Sequence, residues 1–356
     1  MFLYCYVALT LETPRGIGNL ILNHLSDTSS QGKKLHFYSS SGGNAGLAAV
    51  IAARDLGCPC TVVVPLSTKP MMVQKLRDAG ATNVIQHGAS WYEADTYLRE
   101  NFIEAPEQEQ IDSKGQQPPA TPDVGINENA HVKNVYVPPF DHPLIWDGNA
   151  TLIPELTAQL PPRADGEHTG RFPADAIVCS VGGGGLFNGV MQGLENHLRE
   201  HRHPQGAENV NVLAVETEGA DSLAYALKKD VLQSLAAITS LATSLGALRV
   251  APKTFQNARS PPPGVHVTSV VASDAAAARG VVQLADETRL IVELACGVSV
   301  DVATGVRLKE AVKGLNPSSR VVVIVCGGSN ITPEVVAEYR HRLKYGWDHP
   351  PPADQK

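Results

Sequence analysis

Apolar and polar positions along this chain follow two periods, and stretches of the two periods alternate. Between Arg15 and Leu25, apolar residues fall at Ile17, Leu20, Ile21 and Leu25, a three-and-four spacing that predicts an amphipathic helix. Leu35–Tyr38 predicts a strand, followed by a helix that runs through Leu56 and is closed by Gly57. Thr61–Val64, stopped by Pro65, predicts a second strand, Met71–Ala79 a helix ended by Gly80, Asn83–Ile85 a third strand and Tyr92–Phe102 a helix. Val135–Val137 resumes a strand that runs into Pro138-Pro139-Phe140-Asp141.

The second half repeats the alternation. It predicts a helix over Leu144–Leu160, a strand over Ala176–Cys179, a helix over Leu186–Leu198 and a strand over Asn211–Val215. Helices are then expected near 221–228 and 231–245, a strand over Val265–Val271, and helices over Asp274–Thr288 and Val298–Val312. Val321–Val325 reads as a fully buried strand and Pro333–Leu343 as a last helix before a Pro-rich tail. Strands alternating with helices at this spacing predict an α/β fold with parallel sheets and helices on both faces. Residues 106–133, rich in Gln, Glu, Pro, Asp and Asn, interrupt the pattern and predict a disordered surface insertion. Loops are expected at Pro161–Pro173 and Ser260–Gly264, and no internal repeat is evident.

Composition narrows the picture only slightly. A chain of 356 residues, 43% hydrophobic and 18% charged, can bury a substantial core. Its net charge of −7, from 36 acids and 29 bases, argues against a nucleic-acid surface. No apolar run approaches the ~20 residues of a membrane-spanning helix, and the apolar start lacks the basic segment of a signal peptide. Cysteines at 5, 58, 60, 179, 296 and 326 follow no disulfide or metal spacing, so a reduced, cytoplasmic protein is expected. Cys58-Pro59-Cys60, with one intervening residue before an apolar strand, reads as core.

Candidate chemistry gathers in loops after predicted strands, where open parallel sheets bind ligands. Gly182-Gly183-Gly184-Gly185 joins a buried strand to a helix start, the arrangement of an anion site in which backbone N–H groups converge. The spacing matches neither Gly-x-x-x-x-Gly-Lys-[Ser/Thr] nor Gly-x-Gly-x-x-Gly, which points to a phosphorylated ligand other than an evident nucleotide. Ser40-Ser41-Gly42-Gly43-Asn44-Ala45-Gly46 is either a helix N-cap or a nest for a carboxylate or cofactor oxygen. Glu216-Thr-Glu-Gly-Ala-Asp-Ser222 is either a capped turn or a set of oxygens for a hard cation. Cys326, before Gly327-Gly328, is either a structural thiol or a partner for a ring nitrogen.

Taken together and in order, these strings, with Tyr136-Val-Pro-Pro-Phe-Asp-His-Pro-Leu-Ile-Trp-Asp-Gly148 and Val292-Glu-Leu-Ala-Cys-Gly297, resemble the eukaryotic L-serine dehydratases. These are serine ammonia-lyases, many also acting on threonine, among the tryptophan-synthase-β-like pyridoxal-phosphate enzymes. The resemblance covers about residues 15 to 345 and implies the two-domain fold type II, with the cofactor in the interdomain cleft. A small domain over 19–137, a large domain over 1–18 plus 138–345 and a tail over 346–356 are then expected. The resemblance implies that Gly182, Gly183, Gly184, Gly185 and Leu186 bind the phosphate of pyridoxal 5'-phosphate. Asn44 would bond the ring hydroxyl oxygen, Cys326 would face the pyridine nitrogen, and Ser41, Gly42 and Ala45 would line the substrate carboxylate site. Glu216, Ala220 and Ser222, with backbone oxygens near Leu245 and Ala247, match the family's monovalent-cation site, a potassium site by expectation. A small amino-acid substrate and a homodimer are implied, with no nucleic-acid or membrane partner.

One element departs from the pattern. The family's cofactor lysine lies in a string like Ser-Gly-Ser-Phe-Lys-x-Arg-Gly-Ile-Gly; Arg15-Gly16-Ile17-Gly18 is intact here, but Thr13 stands at the lysine position. That lysine forms the Schiff base and moves the Cα proton, and Thr13 can do neither. Lys33, Lys34 and Lys69 fall on or near predicted turns. Only 14 residues precede Arg15, and the expectation is a truncated version of a longer, working dehydratase. The alternatives are a catalytically dead binding or regulatory protein of the same fold, or another same-fold enzyme such as threonine deaminase, D-serine dehydratase or a cysteine synthase. The Pro-Pro-Phe-Asp-x-Pro-Leu-Ile-Trp string and Cys326 favour the serine dehydratase group.

Overall fold

The structure, a computed structural model, describes residues 3–8, 12–104, 132–161, 172–201 and 210–347, with side chains from Arg15 onward. The expected insertion (apart from 132–133), most of the 161–173 loop and most of the tail lie outside the described residues. The chain opens with strand β1 (Leu3–Ala8) and helix α1 (Glu12–Ser26). It continues through β2 (Lys34–Ser39), α2 (Asn44–Asp55), β3 (Cys60–Val64), α3 (Pro70–Asp78), β4 (Asn83–Gln86), α4 (Trp91–Leu98) and β5 (Val132–Val137). Then come α5 (Pro143–Ala150), α6 (Leu152–Gln159), β6 (Ala176–Ser180), α7 (Gly185–Glu200), β7 (Val210–Thr217), α8 (Ser222–Lys229) and α9 (Pro252–Arg259). β8 (Val265–Ala272), α10 (Asp274–Thr288), α11 (Leu294–Thr304), α12 (Val306–Ala311), β9 (Arg320–Val325) and α13 (Pro333–Tyr345) complete it. The elements form two compact units, residues 17–139 and residues 1–16 with 140–356.

In the 17–139 unit the parallel sheet runs β4-β3-β2-β5. All five residues of β3 are buried, as its unbroken apolar run requires of a strand covered on both faces. The chain steps from β2 to β3 to β4 in one direction and places β5 on the other side of β2. In the other unit the parallel order is β1-β9-β6-β7-β8. Here β6, β7 and β8 step one way, and β9 lies on the opposite flank of β6. Each unit therefore has a switch point, between β2 and β5 and between β6 and β9. Ligands bind at the carboxyl ends of strands at such points.

Several elements differ from the sequence expectation. Residues 231–245 form no long helix; only a 3₁₀ turn at Thr243–Leu245 is helical. The backbone there is tied to distant groups: Leu235 N–H donates to Leu248 O (2.7 Å) and Thr239 N–H to Gly219 O (3.0 Å). Leu241 N–H donates to Asp274 Oδ2 (2.8 Å) and Ala242 N–H to Ser240 Oγ (3.0 Å). Side-chain oxygens of this kind compete with a helix for its donors. The expected helix over 144–160 is two, α5 and α6, because Pro154 has no N–H for the Ala150 carbonyl. The expected 298–312 helix starts earlier, at Leu294, and breaks at extended Gly305. The continuation of α4 is a π-turn over Arg99–Ile103. Helix α9 escaped prediction because its buried face is polar, Thr254 and Asn257, and β1 was not expected at all.

Helices α10 and α11 are held at backbone contact by Gly280 and Gly297. A Cβ on Gly280 would sit 1.9 Å from Gly297 O, and one on Gly297 would sit 2.2 Å from Ala277 O. Gly280→Ala is expected to destabilise the protein by about 1–3 kcal/mol through overpacking, read as a lowered urea midpoint by circular dichroism. An unchanged midpoint would mean that the two helices separate without loss.

Candidate functional site

Strand β6 is buried throughout, and its exit carries the four glycines. Gly184 adopts a left-handed φ of +97°, and helix α7 starts at Gly185. A side chain has no room here: a Cβ on Gly183 would lie 2.2 Å from the Phe140 ring, and one on Gly184 1.9 Å from Thr254 Oγ1. Carbonyls of the loop are engaged elsewhere. Gly183 O accepts from Ala251 N–H (3.0 Å), Gly184 O from Asn188 N–H (2.8 Å) and Gly185 O from Asn149 Nδ2 (3.2 Å). The first N–H groups of α7 have no acceptor inside the helix, so this helix start is suited to an anion. Leu186 is half-buried and packs against the core beneath the loop.

Strand β9 is the parallel neighbour of β6, so the loop after β9 lies beside the glycine loop. Cys326 is half-buried, and its N–H donates to Cys296 Sγ (3.2 Å). Gly327 and Gly328 follow with φ of +82° and +121°. Among the described residues, Cys58, Cys60, Cys179, Cys296 and Cys326 form no disulfide.

The end of β7, the other neighbour of β6, and the turn that leads into α8 hold Glu216, Ala220 and Ser222, all buried. The Glu216 carboxylate accepts the Leu223 and Ala224 N–H groups, each at 2.8 Å, at the start of α8. Burial pushes its pKa up to about 8 in spite of those bonds. Ser222 Oγ is buried with no hydrogen-bond partner. Leu245 packs in the same cluster as Ala220, and Ala247 N–H donates to Leu245 O (2.7 Å). Gly182 faces this turn: a Cβ on it would be 3.2 Å from Leu245 Cα. The structure thus brings Gly182 against Leu245.

In the 17–139 unit, Ser41 and Gly42 follow β2, and Asn44 and Ala45 open α2. The N-cap position is Gly43, without a side-chain cap; its N–H instead meets Ser41 Oγ at 3.3 Å. A Cβ on Gly46 would be 1.8 Å from Ser41 O, so the turn is compact. Ser40 Oγ and Tyr136 OH both donate to the buried Asp95 Oδ1 at 2.6 Å. Burial, with the Asp95 bond next, pushes the Tyr136 phenol up. Sequence reading gave no role to Asp95, Thr254 or Glu293; a signal existed only for Asp95, a polar residue on the buried face of α4 beside Ala94 and Leu98. Thr13 lies in the first turn of α1. Lys33, Lys34 and Lys69 are exposed. Among the described residues no group of three or more His, Cys, Asp or Glu could hold a metal ion, and no helix is long and apolar enough to cross a membrane.

Glu216 supplies a pH test. Its folded pKa, about 8, lies above the ordinary glutamate value of 4.5, so its contribution to stability is full below about 4.5 and is lost as pH rises through about 8. Urea stability measured without alkali cations should fall across that window, with Glu216 contributing up to about 1.4 kcal/mol per pH unit. Glu216→Gln should remove that part of the slope; an identical slope in the variant would contradict the assignment.

The family model described as pyridoxal-phosphate dependent enzyme matches residues 14–327. An L-serine dehydratase of Saccharomyces cerevisiae strain AWRI1631 is 40% identical over 326 residues, covering 90% of this chain and 85% of the relative. The catabolic L-serine/threonine dehydratase of Saccharomyces cerevisiae strain S288c is 36% identical, covering 89% and 79%. Among solved structures, a fungal L-serine ammonia-lyase from Rhizomucor miehei superposes with a TM-score of 0.72 at 28% identity, covering 93% of this chain and 89% of that one. A four-glycine helix start at a switch point, in a chain matched from residue 14 to residue 327, makes this protein a member of the pyridoxal-phosphate-dependent enzyme family.

Proposed function

We propose that the residues of this chain are arranged for L-serine ammonia-lyase chemistry, the conversion of L-serine to pyruvate and ammonia, with threonine to 2-oxobutanoate as a second reaction. The observation that carries the reading is the Gly182–Gly185 cradle at the β6–β9 switch point, in a chain 40% identical to an L-serine dehydratase. The loop fits a phosphate, because the start of α7 presents N–H groups there and its four glycines carry no side chain to cover them. Gly182 to Gly185 and Leu186 hold the phosphate in this reading, Asn44 bonds the ring hydroxyl oxygen, and Cys326 meets the ring nitrogen. Ser41, Gly42 and Ala45 receive the substrate carboxylate. When bound, pyridoxal phosphate supplies an electron sink conjugated to the substrate nitrogen. A thiol opposite the ring nitrogen does not hold it protonated as a carboxylate would, which makes the sink milder and suits β-elimination.

The reading includes a monovalent cation, potassium by chemistry, held by Glu216, Ser222 and backbone oxygens of Ala220, Leu245 and Ala247. The orphaned Ser222 Oγ and the raised pKa of Glu216 support it, since a cation would satisfy the first and stabilise the charge of the second. A homodimer working in the cytoplasm, implied by the family resemblance, completes it.

Thr13 favours a second reading for the chain as written, a protein that binds the cofactor without the covalent link. An alcohol cannot replace the lysine amine as base or as covalent anchor. The chain is expected to bind pyridoxal phosphate reversibly, to leave no adduct after borohydride reduction, and to release little pyruvate from serine. Thr13→Lys should yield a borohydride-trapped adduct and at least about a hundredfold more pyruvate. Pyruvate release by the unsubstituted chain at the rate of the lysine variant would overturn this account. Parallel assays with L-threonine, D-serine and O-acetylserine separate the same-fold alternatives.

A further inference from the structure

The string Val292-Glu-Leu-Ala-Cys-Gly297 has no role in the reading above, yet Glu293 lies where two of its loops meet. Glu293 precedes α11 and is 6% exposed. Its N–H donates to Gly327 O (3.0 Å), and its Oε1 accepts the Asn330 N–H (2.8 Å), so backbone and side chain both hold the loop that carries Cys326. Its Oε2 accepts from Ser244 Oγ, in the turn that carries Leu245 and Ala247. Gly328 approaches so closely that a Cβ would lie 2.3 Å from Glu293 Cδ. On its other side, the same turn abuts the phosphate loop, where a Cβ on Gly182 would lie 3.3 Å from Ser244 O.

We propose that Glu293 is a positioning residue that couples monovalent-cation binding in the Thr243–Ala247 turn to the seating of the cofactor ring beside Cys326. A cation drawing in the Leu245 and Ala247 carbonyls fixes the position of Ser244. Ser244 fixes the Glu293 carboxylate, and the carboxylate fixes the 326–330 loop through the Asn330 amide. The cation therefore acts on the ring end of the cofactor without touching it. By linkage, cofactor binding must raise cation affinity by the same factor. This rests on the reading that both ligands bind as described under Proposed function.

The test is the affinity for pyridoxal phosphate, followed by tryptophan fluorescence quenching in potassium chloride and in equimolar tetramethylammonium chloride. The unsubstituted chain should bind more tightly in potassium by a factor of about 5 to 150. Ser244→Ala, which deletes only the hydroxyl that reaches Glu293, should bind as the unsubstituted chain does in tetramethylammonium and lose most of the potassium advantage. Glu293→Ala should lose it as well, and the double variant should lose no more than Glu293→Ala alone, because both act through one bond. A Ser244→Ala chain that keeps the full potassium advantage overturns the proposal, whether or not Glu293→Ala folds. An unsubstituted chain that binds no pyridoxal phosphate, or binds it equally in both salts, overturns the underlying reading and the proposal with it.

Discussion

Close approach of backbone to backbone at the carboxyl edge of the β1-β9-β6-β7-β8 sheet is the constraint on which the candidate site depends. Parallel strands lie about 4.8 Å apart, so the loops that leave β9, β6 and β7 must share a narrow strip of space. They can do so only where side chains are missing. Gly183 and Gly184 leave no room for a Cβ against Phe140 and Thr254, and Gly328 leaves none against Glu293. The same absence of side chains would let backbone N–H groups serve as a binding surface, so crowding and the proposed anion binding would have one physical origin.

Buried carboxylates organise these loops, and they do so as hydrogen-bond acceptors. Glu216 takes two backbone N–H groups at the start of α8, Asp95 takes two hydroxyls beside the 40–44 turn, and Glu293 takes an amide and a hydroxyl. A buried carboxylate so bound is costly to disturb, because a lost partner leaves charge without solvent. Such groups fix loop geometry more firmly than apolar packing, which tolerates sliding. Glu216 differs in one respect: its bonds do not offset its burial, and its pKa remains high. That residual cost is what a bound cation would relieve.

The fold was legible where one signal dominated. Unbroken valine runs such as Val321–Val325 can be satisfied only between two layers, and the glycine punctuation after Leu56 and Ala79 marks helix ends whatever their surroundings. The 231–245 stretch was misread because its apolar spacing imitates a helix, while the Ser240 hydroxyl, the Asp274 carboxylate and distant carbonyls take over the backbone. Helix α9 was invisible for the opposite reason: it buries Thr254 and Asn257, which carry no apolar period. In the candidate site, the glycine and Ser-Asn strings stood out locally. Asp95 and Glu293 did not, since a buried carboxylate gains its meaning from partners 55 and 37 residues away in sequence.

Binding and bond-making draw on different atoms in this architecture. In the proposed reading, phosphate, ring and cation would be addressed by backbone amides, backbone oxygens and a few fixed side chains at strand ends. Proton transfer at Cα needs one amine on the helix-entry segment before Arg15, where this chain has Thr13. Replacing that amine subtracts a base and a covalent anchor but leaves the cradle, the carboxylate-bound loops and their mutual packing untouched. Non-covalent affinity should therefore survive a loss that turnover does not, since the two are set by interactions that share no group. A chain of this kind separates the cost of holding a cofactor from the cost of using it.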